Sequence, residues 1–479
     1  MTPILLIRRS HKDAALLPAV LIFVGALVLA FRPIYEPDLW WHLAQGRETA
    51  EGRFVRTNVF SFGYPDYRQP YTSWLFDTVA YASWQAGGAI AIQVLQASLL
   101  GLTLLLLYRA CRVRSPAWSA GVVLLLGFFV LEPRAIPRPH LVSFAGLAGC
   151  TLLIERALAR RAARPLWWAI PWIAVWSNFH VECVFGVILL GTFAGLEWVR
   201  PRSLTREEAR TAVLITVLGA MATMGNPYGW GLIRYLHENW SVPKILTIAE
   251  LLPPPFVPYR AFYFYVFVCA LAMALRWRDV RLWQIVAIAG FAIVGTRYLR
   301  LTPLVLLASA PTVAAALTAV AVNRIIRRGI VAAAIIAGLA VSRAPVDRLV
   351  TQFSVGESAV APQAFFSKDA IAFVHKAGLE GNVFNSHNLG GYLAWTLYPR
   401  VRIFQDSRLQ AYPPEHFLSI LVASQSEADW EVLVADVDWA MLSLPRPNQL
   451  SGVGRFGSDQ WSTVFNDGVV EIVVRVRRR

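Results

Sequence analysis

The chain has 479 residues, of which 56% are hydrophobic and 16% charged, and its mean hydropathy is +0.48. A soluble domain carries about 25% charge, so one large water-soluble core is excluded. The net charge of +15 would suit nucleic acid, but the arginines stand at the ends of apolar blocks, where they orient a membrane protein, and we read no nucleic-acid partner.

An apolar run at 15–31 follows Arg8, Arg9 and Lys12. No small-residue cleavage site comes after it, so it reads as an uncleaved first span rather than a signal peptide. Further apolar blocks lie near 88–108, 118–131, 141–157, 166–178, 183–198, 211–224, 261–275, 282–295, 301–321 and 329–342. With the first they make about eleven candidate spans, several of them shorter than the roughly 20 residues that cross a ~30 Å hydrocarbon core. Inside that core every backbone polar group must find its partner locally, so the blocks should be helices.

Arg8/Arg9/Lys12, Arg109/Arg112/Arg114, Arg156/Arg160/Arg161/Arg164, Arg200/Arg202/Arg206/Arg210, Arg276/Arg278/Arg281 and Arg324/Arg327/Arg328 all fall on one side of this threading. By the positive-inside rule that side is cytoplasmic, in an inner (plasma) membrane. The loops at 32–87, 132–140, 179–182, 225–260 and 296–300 then face outward, as does the C-terminus.

The pattern changes after the last block. Residues 344–363 are irregular and polar, and from about 364 short helix-like and strand-like runs alternate. Ser367–Ala377 and Pro414–Ala423 read as helices, Asn382–Asn385 and Val401–Phe404 as strands. Asn466-Asp467-Gly468 between alternating apolar residues in 464–476 is a hairpin signal. The expected fold is therefore a polytopic α-helical membrane domain over 1–343, a linker at 344–363, and a small extracytoplasmic α/β domain at 364–479. Cys111, Cys150, Cys183 and Cys269 lie in or beside apolar blocks and offer neither a disulfide framework nor a CxxC metal pattern.

Chemistry-bearing residues cluster on the outer side. Glu36 and Asp38 flank Pro37 just past the first span, ahead of Trp40, Trp41 and His42. The tryptophans suit an interfacial belt, which would set the carboxylates at the membrane surface. There a carboxylate can take a proton from an attacking hydroxyl, or two can hold a divalent cation, whose identity the sequence does not fix. The plain alternative is a solvated loop with an aromatic anchor.

Arg134, Arg138 and His140 share one outer loop, and Arg297 and Arg300 another. Outer arginines run against the topology bias, and a phosphate is one reason for them, since guanidinium binds it bidentately. Pairing with Glu132, Glu36 or lipid headgroups is the other reading. Asn178, His180 and Glu182 lie between two apolar blocks and could orient a substrate hydroxyl or bind a metal. The Pro-rich stretch 244–255, with Glu250, could cover a cleft.

Together these stretches resemble the GT-C superfamily of polyprenyl-phosphate-sugar-dependent glycosyltransferases, in particular bacterial membrane proteins related to oligosaccharyltransferases and protein O-mannosyltransferases. The resemblance rests on Glu36-Pro37-Asp38-Leu39-Trp40-Trp41-His42, Thr57-Asn58-Val59-Phe60-Ser61, Trp74-Leu75, Arg138-Pro139-His140, Trp176-Ser177-Asn178-Phe179-His180, Asn226-Pro227-Tyr228-Gly229 and Arg297-Tyr298-Leu299-Arg300. Phe384-Asn385, Gly390-Gly391-Tyr392-Leu393, Tyr398-Pro399 and Asp406-Ser407-Arg408 look like the outer domain of the same group.

The resemblance implies a catalytic carboxylate at Asp38 with Glu36 as its neighbour, a polyprenyl-phosphate-linked sugar as donor, and transfer with inversion to an acceptor that the sequence leaves open. Arg297, Arg300, Arg138, His140, His42, Asn178, His180 and Glu182 would line the substrate and phosphate site. The chain departs from the family pattern at Glu36, where Asp is common, at Val181-Glu182, which replaces a glycine pair, and at Ser407, which replaces the glycine of Asp-Gly-Arg. No second Asp-x-Asp stands in 132–140. A lipid-linked-saccharide transporter and a non-catalytic membrane scaffold are the competing classes; the first would need charge pairs or broken helices near the midplane.

Overall fold

The computed structural model describes residues 16–69, 71–232, 234, 249–320, 323–334, 336, 367–423, 425–444, 456 and 460–476. Its first part is helical: α1 (Leu16–Ala30), α2 (Asp38–Ala50), α3 (Trp74–Arg112), α4 (Ala117–Leu131), α5 (His140–Arg160), α6 (Ala169–Phe179), α7 (Cys183–Val199), α8 (Arg206–Ala222), α9 (Phe256–Leu275), α10 (Leu282–Arg297) and α11 (Pro303–Val320).

Five helical runs among the described residues are long and apolar enough to cross a membrane: Trp74–Arg112, Ala117–Arg134, His140–Arg160, Phe256–Leu275 and Leu299–Val320. Cys183–Val199 and Leu282–Arg297 are shorter apolar helices. Helices also stand at the blocks near 15–31, 166–178 and 211–224, with 15, 11 and 17 residues. Pro165 makes a separate 3-10 turn of Arg164–Trp168 ahead of α6, which shortens that one. The block at 329–342 is described as helix only to 334 and at 336, and the linker at 344–363 lies outside the described residues. The figure of eleven spans thus rests on the sequence reading.

The segment 32–87 is not the open outer loop expected from the sequence. It holds α2 and the outer arm of α3, which begins at Trp74 rather than near 88. The arm joins the rest of α3 through Gly87 and Gly88, where φ/ψ is non-helical and Gly88 takes φ 58°. A left-handed residue between two helical arms favours glycine, and the pair turns the outer arm to pack along α2. That packing is close: a Cβ on Gly46 would lie 2.1 Å from the carbonyl oxygen of Asp77.

The C-terminal part is a five-stranded sheet in the order β2-β1-β3-β5-β4, from β1 (Gly381–Asn385), β2 (Val401–Ile403), β3 (Trp439–Ser443), β4 (Trp461–Asn466) and β5 (Val470–Arg475). β1 pairs parallel with β2 and β3, while β5 runs antiparallel to β3 and β4. The β4–β5 hairpin turns at Asn466-Asp467-Gly468, as its sequence predicts, with Gly468 at φ 81°. Four helices accompany the sheet: α12 (Lys368–Ala377), α13 (Gly390–Leu397), α14 (Pro414–Ala423) and α15 (Glu427–Leu433).

The two parts share one core. Leu39, Trp40 and Leu43 of α2 pack with Tyr392, Leu393 and Leu397 of α13 and with Val401 and Ile403 of β2. Trp40 and Trp41 are buried, so they are core residues of this junction and not the interfacial anchors expected. Trp40 meets Tyr392 edge-on at 4.9 Å. The free edge of β2 is covered as well: Ile403 donates to the Phe60 carbonyl and Phe62 donates to that of Ile403. An exposed strand edge would invite foreign pairing, and the segment between α2 and α3 closes it.

Candidate active site

Asp38 is the first residue of α2, where the N-terminal end of the helix dipole favours a negative charge. Its backbone N–H donates to Glu36 Oε1 at 3.2 Å, so the Glu-Pro-Asp turn aims both carboxylates the same way. Arg138, between two prolines at the head of α5, meets them there. Its Nη2 lies 2.6 Å from Glu36 Oε1 and 2.6 Å from Asp38 Oδ2. The same guanidinium donates through Nη1 to Glu250 Oε1 at 2.9 Å, and Arg134 Nη1 reaches that oxygen at 2.7 Å.

The electrostatics follow from this packing. Burial pushes the Glu36 carboxyl above its ordinary value, opposed by Arg138 and reinforced by Asp38. Burial acts against the charge of Arg138, but Asp38, Glu36 and Glu250 outweigh it and keep the guanidinium protonated. At Glu250 burial is likewise outweighed, by Arg138 and Arg134 with help from Arg300, and its carboxyl is held well below the usual range.

The C-terminal part closes on the same point. Ser407 donates its hydroxyl to Asp38 Oδ1. Its neighbours Asp406 and Arg408 form an ion pair with no exposed side-chain surface. Arg408 also donates to Asn58 Oδ1 at 2.8 Å and Gln69 Oε1 at 3.2 Å, and its guanidinium lies 5.0 Å from the centre of the Phe60 ring. When the Gln45 amide donates to Asp77 Oδ2 at 3.3 Å, its oxygen accepts from Gln69 and Arg408. Asp77 in turn lies 2.6 Å from His42 Nδ1, with both groups buried. His42 is thus one member of a buried polar chain from the tail to α3, and it reaches Asp38 only along α2.

A second group lies beside the first. Glu182 faces His180 Nδ1 at 3.4 Å and Arg300 Nη2 at 3.3 Å, and His180 and Arg300 outweigh burial to lower its carboxyl to about 2. Ser143 Oγ is 2.8 Å from His180 Nδ1. Serine and glutamate face the same ring nitrogen, so this is not a relay of the hydrolase kind, which uses both.

Other expected residues fall elsewhere. His140 Nε2 is held 2.8 Å from the Arg134 carbonyl oxygen, where it supports the arginine loop. Asn178 is a strut: its Oδ1 accepts from Trp74 Nε1 and its Nδ2 donates to the Ala174 and Gly225 carbonyls. Arg297 ends α10 exposed, with no hydrogen bond or ion pair among the described residues. Arg134, which the sequence sets among the outer arginines, and Glu250, in the stretch that could cover a cleft, lie beside the pair, and Ser407, marked in the sequence only as a departure from glycine, bonds it. Among the described residues no group of three His, Cys, Asp or Glu side chains is placed to hold a metal ion.

No protein-family model matches the sequence, and no curated protein matches it. Solved structures do. An archaeal oligosaccharyltransferase, AglB from Archaeoglobus fulgidus in complex with an inhibitory peptide and a dolichol-phosphate, superposes with TM-score 0.66 at 12% identity over 90% of this chain and 69% of its own. The A. fulgidus oligosaccharyltransferase in complex with Zn and sulfate gives TM-score 0.57 at 13% identity over 88% and 67%. The mycobacterial arabinofuranosyltransferase AftD gives 0.61 at 13% identity, over 96% of this chain but only 40% of its own. These neighbours are GT-C membrane glycosyltransferases. The fold is the GT-C fold. At such identity the likeness carries the architecture alone, and within this GT-C fold the carboxylate pair stands where α2, the head of α5 and the tail converge.

Proposed function

We propose that this protein is a GT-C glycosyltransferase that transfers a sugar from a polyprenyl-phosphate-linked donor to an acceptor at the outer face of the inner membrane. The observation that carries the reading is the carboxylate pair at the head of α2, bridged by Arg138 and capped by the tail. AglB was solved with a dolichol-phosphate, which supports a lipid-phosphate donor here.

Asp38 would be the base. Ser407 and Arg138 each take one of its oxygens, but a carboxylate has about four lone-pair sites, so one stays open to an acceptor hydroxyl. As that proton moves to Asp38, the acceptor oxygen bonds to the anomeric carbon. The bond from that carbon to the phosphate oxygen breaks on the opposite face, and the phosphate leaves with the electron pair. One displacement of this kind inverts the anomeric centre. Arg300, and more weakly the exposed Arg297, would stabilise the departing phosphate, whose charge grows toward the transition state.

A neighbour binds Zn, so the fit of a divalent cation bears on the mechanism. Such an ion needs several oxygen ligands at about 2.0–2.2 Å. Here the facing oxygens of Glu36 and Asp38 already share the Arg138 Nη2 protons. The residues do not fit a metal ion between them.

The test is release of polyprenyl phosphate from a labelled lipid-phosphate-sugar panel by the purified protein, wild type beside Asp38→Asn. The reading expects release and transfer in the first alone. Equal turnover in both would remove Asp38, and no turnover with any donor would favour a scaffold.

A further inference from the structure

We infer that Arg138 performs in this chain the electrostatic work of a divalent cation: its guanidinium bridges Glu36 and Asp38 in the place such an ion would take, and transfer proceeds without metal. The inference rests on the proposed transferase reading, and one arm of its test does not.

The geometry makes the two occupants mutually exclusive. A single nitrogen, Arg138 Nη2, is 2.6 Å from an oxygen of each carboxylate. A metal ion bridging the same two oxygens from that side would have to displace that nitrogen. Arg138 Nη1 and Arg134 Nη1 both bond Oε1 of the third acid, Glu250, at 2.9 and 2.7 Å, which fixes two positive charges beside the bridge. Asp38 Oδ1 is taken by Ser407. An ion entering here would face two guanidinium groups with little solvent between them, and like charges repel strongly where screening is weak.

The arginine is also held in place. Its backbone N–H donates to the Ile136 carbonyl at 2.8 Å, and Pro137 and Pro139 fix the chain on either side. The donor fork matches planar carboxylates, so lysine would supply the charge without the bridge. What a bridging ion provides is a fixed positive charge that holds two carboxylates together, and Arg138 provides that from the chain itself. The proton still passes from acceptor to Asp38, and no redox or metal-bound species enters.

The experiment is a Mn2+ titration of the full-length protein in detergent, followed by electron paramagnetic resonance, with wild type, Asp38→Asn, Arg138→Ala and Arg138→Gln. Wild type should show no Mn2+ binding that Asp38→Asn removes. Vacating the bridge should create a site, so either Arg138 variant should gain Mn2+ binding that wild type lacks, and adding Asp38→Asn should abolish the gain. In the activity arm, EDTA should leave wild-type turnover unchanged.

Mn2+ binding by wild type that depends on Asp38, or loss of turnover in EDTA restored by Mn2+, overturns the inference. Failure of both folded Arg138 variants to gain a site also overturns it. If neither variant folds, the wild-type and Asp38→Asn titrations decide alone. Absence of transfer with every donor would sink the transferase reading while the Mn2+ titration still stands.

Discussion

Ser407, in the C-terminal domain, hydrogen-bonds to Asp38 across 369 positions of sequence, so the proposed base is oriented from outside the membrane domain. A hydrogen bond to a charged group is worth about 1.5–3 kcal/mol, and here it fixes which lone pairs of Asp38 remain open. Ser407→Gly, which removes the hydroxyl, should lower kcat roughly tenfold or more while the donor KM stays close to wild type. Ser407→Thr, which keeps a hydroxyl, should recover much of it. A Ser407→Gly enzyme whose KM rises and whose kcat holds would mean that Ser407 binds substrate and does not position Asp38.

The Asp406–Arg408 pair makes a different prediction, about stability. Both side chains are fully buried, and Arg408 ties the tail to Asn58 and Gln69 of the segment between α2 and α3. Removing one partner of a buried ion pair strands the other and costs about 3–5 kcal/mol. Arg408→Ala should therefore sharply lower the melting temperature in detergent and loosen the tail, seen as faster proteolysis beyond residue 367. Arg408→Ala with Asp406→Ala should be less damaging than Arg408→Ala alone, because no buried charge is left unpaired. A single variant as stable as wild type would show the pair to be solvated.

Much of this was legible in the sequence, and what was not has physical reasons. The ionisable residues Glu36, Asp38, Arg138, Glu182 and Arg300 stand out because their neighbours are apolar. Their pairings do not, since Arg138 meets Glu36 across 102 positions through a fold that no local pattern encodes. α2 could have been read from the apolar spacing of Leu39, Trp40, Leu43 and Ala44, but the tryptophan pair also suits a membrane interface, and only the tail decides between the two. β3 escaped because Trp439–Leu442 are all buried, and a strand buried on both faces lacks the alternation by which strands are recognised. The hairpin at Asn466-Asp467-Gly468 was visible because its turn is local.

Glu36 sets the expected pH response. Burial raises its pKa above the ordinary value of 4.5, with Arg138 opposing. On acidification it therefore takes up a proton before an exposed glutamate would. Arg138 Nη2 then bonds Asp38 without a competing carboxylate, and the tighter pair makes Asp38 a weaker base. Turnover should fall as pH drops through the raised Glu36 pKa, so the acid limb should begin above pH 4.5. Glu36→Gln imitates the protonated state. It should show the reduced rate already at neutral pH and lack that limb. A pH–rate profile of kcat for the two proteins checks this, and an unchanged limb in Glu36→Gln would assign it to another group.

The sequence treats Arg297 and Arg300 alike, and the structure separates them. Arg300 is half-buried and lies 3.3 Å from Glu182, whose carboxylate is kept ionised by His180 and Arg300. Arg297 is exposed at the end of α10. If Arg300 receives the donor phosphate, Glu182 competes for it, and Glu182→Gln should lower the donor KM. Arg300→Ala should raise KM and lower kcat together, roughly 10–100-fold in kcat/KM, because the contact strengthens as the leaving phosphate gains charge. Arg300→Lys should fall between, since lysine keeps charge but loses the fork. Arg297→Ala should cost only a few-fold, as an exposed ionic contact is worth about 0.2–1 kcal/mol. Donor kinetics of the four variants in one detergent measure all of this. A larger loss in Arg297→Ala than in Arg300→Ala would move the phosphate to the exposed arginine and leave Arg300 as the partner that holds Glu182.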